Sequence, residues 1–92
     1  MNSFTRKVYE IVLKIPLGKV RTYSWVAKKA GRPKASRAVG NILRNNPYPI
    51  LIPCHRVIKS NGEIGGYSKG IRKKKALLLK EKEIIRWLKS RP

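Results

Sequence analysis

The chain holds one cysteine and one histidine, and they are neighbours, Cys54-His55. A thiolate is a strong nucleophile, but a thiol needs a nearby base or a positive surrounding to lose its proton. His55 is the candidate base, and Arg56 together with a basic chain supplies the field. A third group of interest is Glu81, which falls in the middle of an apolar stripe. With Leu77 at zero on a helical wheel, Glu81 lies at about 40° and Leu88 at about 20°. A carboxylate on a buried face is costly unless it is paired or hydrogen-bonded. Three readings are open: Glu81 is exposed on a frayed edge, pairs with Lys74 two turns earlier, or orients another polar group in the core. The last would complete a Cys–His–Glu arrangement of the triad kind, with a water between the adjacent cysteine and histidine. Against it stands the ordinary fate of a single cysteine, buried and inert. Metal binding is not expected, since two adjacent ligands do not make a zinc site and no further Cys or His exists. Nor is an internal disulfide, for which one cysteine is too few.

These residues need elements to position them. Phe4, Val8, Ile11, Val12 and Ile15 recur at helical spacing until Pro16-Leu17-Gly18 stops the pattern. Lys19–Tyr23 reads as a short extended piece. Ser24 is a candidate N-cap for a short helix through Ala30, ended by Gly31. Pro33 suits the first turn of a third helix running to about Arg44. Two helices joined by a short Gly-containing turn are a helix-turn-helix candidate. On the third helix, Ala35, Ala38, Val39, Ile42 and Leu43 gather on one side, and Ser36, Arg37, Gly40, Asn41 and Arg44 on the other. The second face carries two arginines among small or polar neighbours, which lets the backbone approach a groove closely. Downstream, Pro47–Pro53 is an apolar, proline-punctuated stretch, expected to be extended and buried. Val57-Ile58 and Glu63-Ile64, joined through Asn61-Gly62, read as a tight hairpin. Gly65-Gly66-Tyr67-Ser68 follows as a flexible loop able to lie against a ligand. A last helix spans about Ile71 to Lys89, with Leu77, Leu78, Ile84, Ile85 and Leu88 as its apolar stripe.

Composition narrows the partner. Ninety-two residues carry 23 Lys and Arg against four acids, a formal net charge of +19. Such a charge attracts polyanions, nucleic acid first and an anionic membrane surface second. With 41% apolar residues, the chain has the composition of one globular domain over residues 1–92, not of a basic disordered tail. No run of 18 apolar residues exists to span a membrane, and no signal peptide opens the chain. The expected setting is cytoplasmic and nucleoid-associated, or nuclear in a eukaryote.

At this point the residues resemble a family. Ile52-Pro53-Cys54-His55-Arg56-Val57 is similar to the active-site signature of the O6-alkylguanine-DNA alkyltransferases, the methylated-DNA–protein-cysteine methyltransferases. Arg37-Ala38-Val39-Gly40, Asn46-Pro47, Gly66-Tyr67-Ser68 and a Glu after the final leucines stand in family order and near family spacing. The resemblance covers essentially the whole chain, as the family's C-terminal DNA-binding and catalytic domain; the N-terminal domain usual in the family has no counterpart in these residues. It implies a mainly α fold with a small β hairpin, a winged-helix-like helix-turn-helix bundle that docks in the minor groove, unlike the usual major-groove reader. It implies that Cys54 accepts the alkyl group, activated through water by His55, which Glu81 holds. Arg37 resembles the finger that fills the stack where the damaged guanine was. Tyr23 resembles the tyrosine that disfavours the stacked phosphate geometry and hydrogen-bonds guanine N3, and Asn46 resembles the hinge asparagine. Tyr67 and Ser68 would close over the base, Ser68 near O6, and the Val57 carbonyl would meet the guanine amino group.

The implied partner is double-stranded DNA containing O6-alkylguanine, bound by a monomer. The base must be flipped out, at a cost of a few kcal/mol. Transfer needs neither cofactor nor metal, and the thioether product spends the protein after one event. Two rivals remain. A damage sensor resembling the alkyltransferase-like proteins would bind the lesion without transfer, but those typically replace the cysteine kept here as Cys54. A plain helix-turn-helix regulator would need none of Cys54, His55 or Glu81.

Overall fold

The computed structural model describes residues 2–48, 52–62, 65 and 70–90. Helix α1 spans Ser3–Leu13, opened by the Asn2 side chain, which accepts from the Thr5 amide at 2.8 Å. Its buried face is Phe4, Val8, Tyr9 and Val12, and Ile15 stays buried just beyond its end. Tyr9, absent from the expected stripe, is tied down by a hydrogen bond from its hydroxyl to the Ile42 carbonyl at 3.1 Å. The exit turns at Gly18, whose φ of 82° favours glycine. A Cβ there would also lie 2.6 Å from Ile85 Cγ1.

Strand β1, Arg21–Thr22, leads directly into helix α2, Tyr23–Lys29. The N-cap is Thr22, whose Oγ1 accepts from the Trp25 amide at 3.0 Å. Ser24, the expected cap, instead places its hydroxyl 3.1 Å from those of both Thr22 and Ser60. Helix α2 closes in a Schellman arrangement: the Arg32 amide reaches the Ala27 carbonyl, the Gly31 amide reaches Lys28, and Gly31 takes φ 88°. Pro33 does not begin the next helix. It sits inside a turn closed by the Ala35 amide on the Arg32 carbonyl at 2.9 Å, where its fixed φ is favoured. Helix α3 then spans Ser36–Arg44 and buries Val39 and Leu43. Ala38, expected on the inner side, is exposed; the buried arc is narrower than the wheel suggested.

Helices α1, α2 and α3 enclose one core of Val8, Val12, Val26, Ala27, Val39 and Leu43, which Cys54 and Val57 join. Of the stretch expected to be buried, Pro53 is buried, Tyr48 is exposed, and residues 49–51 lie outside the described residues. A single 3₁₀ turn, Cys54–Arg56, runs into strand β2, Val57–Ile58. The fold is mostly helical, as expected, with a small sheet. That sheet is a parallel pair, Arg21 against Val57 and Thr22 against Ile58, rather than a hairpin arm on β2. The second arm of the expected hairpin, Glu63-Ile64, lies outside the described residues. Helix α4, Ile71–Ser90, crosses the 3₁₀ turn. Its buried residues are Lys74 and Glu81, while Leu77, Leu78 and Ile85 are half-buried and Ile84 and Leu88 exposed. The expected apolar stripe is thereby corrected: the face turned inward meets polar groups of the 3₁₀ turn and β2.

Candidate active site and nucleic-acid interface

Pro53 shapes the approach to the cysteine. With φ −77° and ψ 62° it forms an inverse γ-turn, closed by the Cys54 amide on the Ile52 carbonyl at 2.7 Å. Cys54 therefore enters the 3₁₀ turn buried, with its sulfur 3.4 Å from Asn46 Nδ2. The same amide nitrogen donates to the Ile52 carbonyl at 3.0 Å, and Asn46 Oδ1 accepts from the Tyr48 amide at 2.8 Å. Asn46 thus joins the end of α3 to the cysteine, which is the place a hinge residue would occupy. Burial raises the Cys54 thiol above its ordinary pKa, opposed in part by the Asn46 hydrogen bond and the charge of Lys74. A thiol so placed needs a base to become a nucleophile.

His55 is 1% exposed, and its Nε2 lies 2.6 Å from Glu81 Oε2. Burial alone would raise the Glu81 pKa. Hydrogen bonds from Arg56 and His55, with their charges, outweigh it and hold the carboxyl below its ordinary range. An ionised carboxylate only accepts, so Nε2 carries the proton and Nδ1 is the nitrogen that can take one. Of the three sequence readings of Glu81, exposure does not hold, since the residue is buried, and the hydrogen bond to His55 is the contact the third reading requires. Arg56 completes the cluster with a bidentate contact, Nε to Oε1 and Nη2 to Oε2, both 2.9 Å.

Lys74 is fully buried. Its ammonium donates to the Val57 carbonyl at 2.7 Å and reaches the Tyr23 hydroxyl at 3.4 Å. Burial lowers its pKa to about 8, against a smaller raising influence of Cys54. Burial also raises the Tyr23 hydroxyl, as does Cys54. The Val57 carbonyl, expected to meet a guanine amino group, thus already accepts from Lys74, and a carbonyl has a second lone pair to offer. Gly65 comes so close to Tyr23 that a Cβ would sit 2.9 Å from the hydroxyl, and its φ is 76°. No residue larger than glycine fits there without movement.

The outer face of α3 opens onto a groove of 480 Å³ lined by Tyr23, Ser36, Arg37, Gly40, Asn41, Arg44, Lys59 and Ser60. All five residues expected on that face are therefore in one place with Tyr23. Lys59 and Ser60 were not foreseen, because the parallel pairing that brings the β2 exit beside α3 has no local signal. The sequence offers Lys74 only as a partner for Glu81, and its spacing of seven residues from Glu81 puts the two on one helical face. Tyr67 and Ser68 lie outside the described residues. Among the described residues, no three His, Cys, Asp or Glu side chains converge as a metal centre would require.

A family profile described as 6-O-methylguanine DNA methyltransferase, DNA binding domain, matches residues 3–83. The methylated-DNA–protein-cysteine methyltransferase of Cricetulus griseus is 59% identical over 70 residues, covering 75% of this chain and 34% of that protein. Among solved structures, Mycobacterium tuberculosis OGT in complex with DNA superposes with a TM-score of 0.87 at 43% identity, covering 90% of this chain and 52% of that one. S. pombe Atl1, in complex with damaged DNA containing O6-carboxymethylguanine, superposes with a TM-score of 0.80 at 38% identity, covering 88% and 77%. The chain spans between about a third and a half of the curated relatives it matches.

Proposed function

The chain belongs to the 6-O-methylguanine DNA methyltransferase DNA-binding-domain family, and from that premise we propose that it binds duplex DNA along α3, turns an O6-alkylguanine out of the stack, and takes the alkyl group onto Cys54. The observation that carries the reading is the hydrogen-bonded line from Glu81 through His55, beside a buried thiol whose pKa is raised.

The chemistry follows from that line. His55 Nδ1, through a water, accepts the Cys54 proton, and Glu81 stabilises the charge that appears on the ring. The thiolate attacks the alkyl carbon in line; a C–S bond forms as the C–O6 bond breaks, and the electron pair leaves with guanine. Tyr23 donates to N3 as negative charge spreads over the purine, and Lys74 lies beside that hydroxyl. Asn46 holds the sulfur, the Val57 carbonyl meets the amino group, and Tyr67 and Ser68 close over the base. Arg37 occupies the vacated stack while Ser36, Gly40, Asn41 and Arg44 follow the backbone. A thioether is a very poor leaving group, so each molecule acts once.

Likeness to Atl1, solved in complex with damaged DNA containing O6-carboxymethylguanine, favours a second reading: recognition of the lesion without transfer. Cys54 separates the two. Incubating the protein with an O6-methylguanine duplex and then analysing the bases should show guanine regenerated one-for-one with protein. A Cys54→Ala variant should bind the same duplex and regenerate none. Lesion binding with every O6-methylguanine intact would select the sensor.

A further inference from the structure

Arg56 adjoins the reacting residues, yet none of the transfer steps uses it. Its guanidinium spends three hydrogen bonds on one task. Nε and Nη2 grip the two oxygens of Glu81, and Nη1 donates to the Ile15 carbonyl at 2.8 Å, where α1 ends. The side chain is 16% exposed, against 9% for Glu81 and 1% for His55. From this geometry we propose that Arg56 is a positioning residue for the transfer, fixing the rotation of the Glu81 carboxylate and, through it, the tautomer and orientation of His55. The proposal rests on the transfer reading above.

The physical reason lies in the last torsion of glutamate, which is broad and nearly two-fold when nothing holds it. A carboxylate bonded only to His55 could rotate and carry the ring with it. A guanidinium fork admits one plane and one register. The Ile15 bond then refers that plane to α1, so the ring is oriented by the body of the protein rather than by α4 alone. Two outer bonds on Glu81 leave Oε2 shared between Arg56 and His55. The charged and titratable groups around Glu81 are His55 and Arg56 from the 3₁₀ turn, with Lys75 and Lys82 on its own helix. Of these, only His55 and Arg56 bond it among the described residues. A mere fold staple would need the same ion pair but would leave the ring's proton position indifferent to its loss.

The chain's single histidine makes the distinction measurable. Imidazole ¹⁵N spectra and the pH dependence of methyl transfer from an O6-methylguanine duplex should be recorded for the natural protein, Arg56→Lys and Arg56→Gln. The natural protein should show one Nε2–H tautomer. Arg56→Gln should show mixed tautomers, transfer slowed roughly ten- to hundredfold, and an acid limb moved to higher pH, because Glu81 has lost the charge that keeps it ionised. Arg56→Lys, keeping the charge without the fork, should restore the acid limb and only part of the rate. A folded Arg56→Gln with an unchanged tautomer, or with the natural rate, overturns the proposal. Should that variant not fold, an unchanged tautomer and rate in Arg56→Lys overturn it instead. If the natural protein transfers no methyl, the transfer reading fails by itself, and the tautomer comparison still decides what Arg56 does to His55.

Discussion

Glu81 sits where hydropathy would place a leucine, and its surroundings explain why a carboxylate is tolerated. It accepts from His55 and twice from Arg56, so its buried charge is matched. Glu81→Gln keeps the shape but cannot balance a charged His55. The variant should stay folded, bind damaged duplex nearly as well, and alkylate Cys54 at least tenfold more slowly, on the scale of general-base effects. An alkylation rate and pH profile equal to those of the natural protein would leave Glu81 a purely structural part. Lys74 gives a second test with a defined sign. Its pKa is about 8 in the folded chain and 10.5 when exposed, so between those values the unfolded chain binds the extra proton. Stability therefore rises with pH across that window. The raised Cys54 thiol and Tyr23 hydroxyl pull the other way at the alkaline end, so the test is the difference. Denaturant melts from pH 7.5 to 10.5 should show a more positive slope of stability against pH in the natural protein than in Lys74→Met, and parallel curves would show that Lys74 does not carry it.

At the scale of elements, α3 is the part whose outer face the sequence made plain. Its outer face was legible because Arg37 and Arg44 alternate with small residues at helical spacing, and the groove gathers that same face. Arg37 is exposed and lines the α3 groove, whose lining includes none of Cys54, His55 and Glu81. Arg37→Ala should therefore reduce repair of duplex DNA by a hundredfold or so, since part of what offsets flipping, a few kcal/mol, is lost. Transfer from a free O6-alkylguanine base should hardly change. Equal losses on duplex and free base would assign Arg37 a direct chemical role. Other elements were less legible, for physical reasons. Thr22 and Ser24 both carry capping hydroxyls, and the cap went to the residue ending a strand. The parallel β1–β2 pair joins positions 36 residues apart, beyond any local pattern. Helix α4 was less legible because a periodicity argument counts lysine as outward-facing; Lys74 is inward, where the Val57 carbonyl accepts a hydrogen bond from its ammonium.

For the whole molecule, the charge of +19 is spread over a body of 45 × 26 × 24 Å. Among the described residues no helix is long and apolar enough to cross a membrane. Binding to duplex DNA should fall linearly in log K against log salt, about 0.9 per phosphate neutralised. Arg44 and Lys59 in the groove should alone contribute a slope of about −1.8. Titrations at several salt concentrations check this, and an affinity that barely moves would remove α3 from the phosphate contacts.

The central claim concerns one sulfur atom, and intact mass reads it directly. The chain, incubated with excess O6-methylguanine duplex and then digested, should gain the mass of one methyl group, mapped to the peptide holding Cys54, saturating at one per molecule and absent in Cys54→Ala. A protein that binds the lesion and emerges with its mass unchanged, or carries the methyl on another residue, would contradict transfer to Cys54.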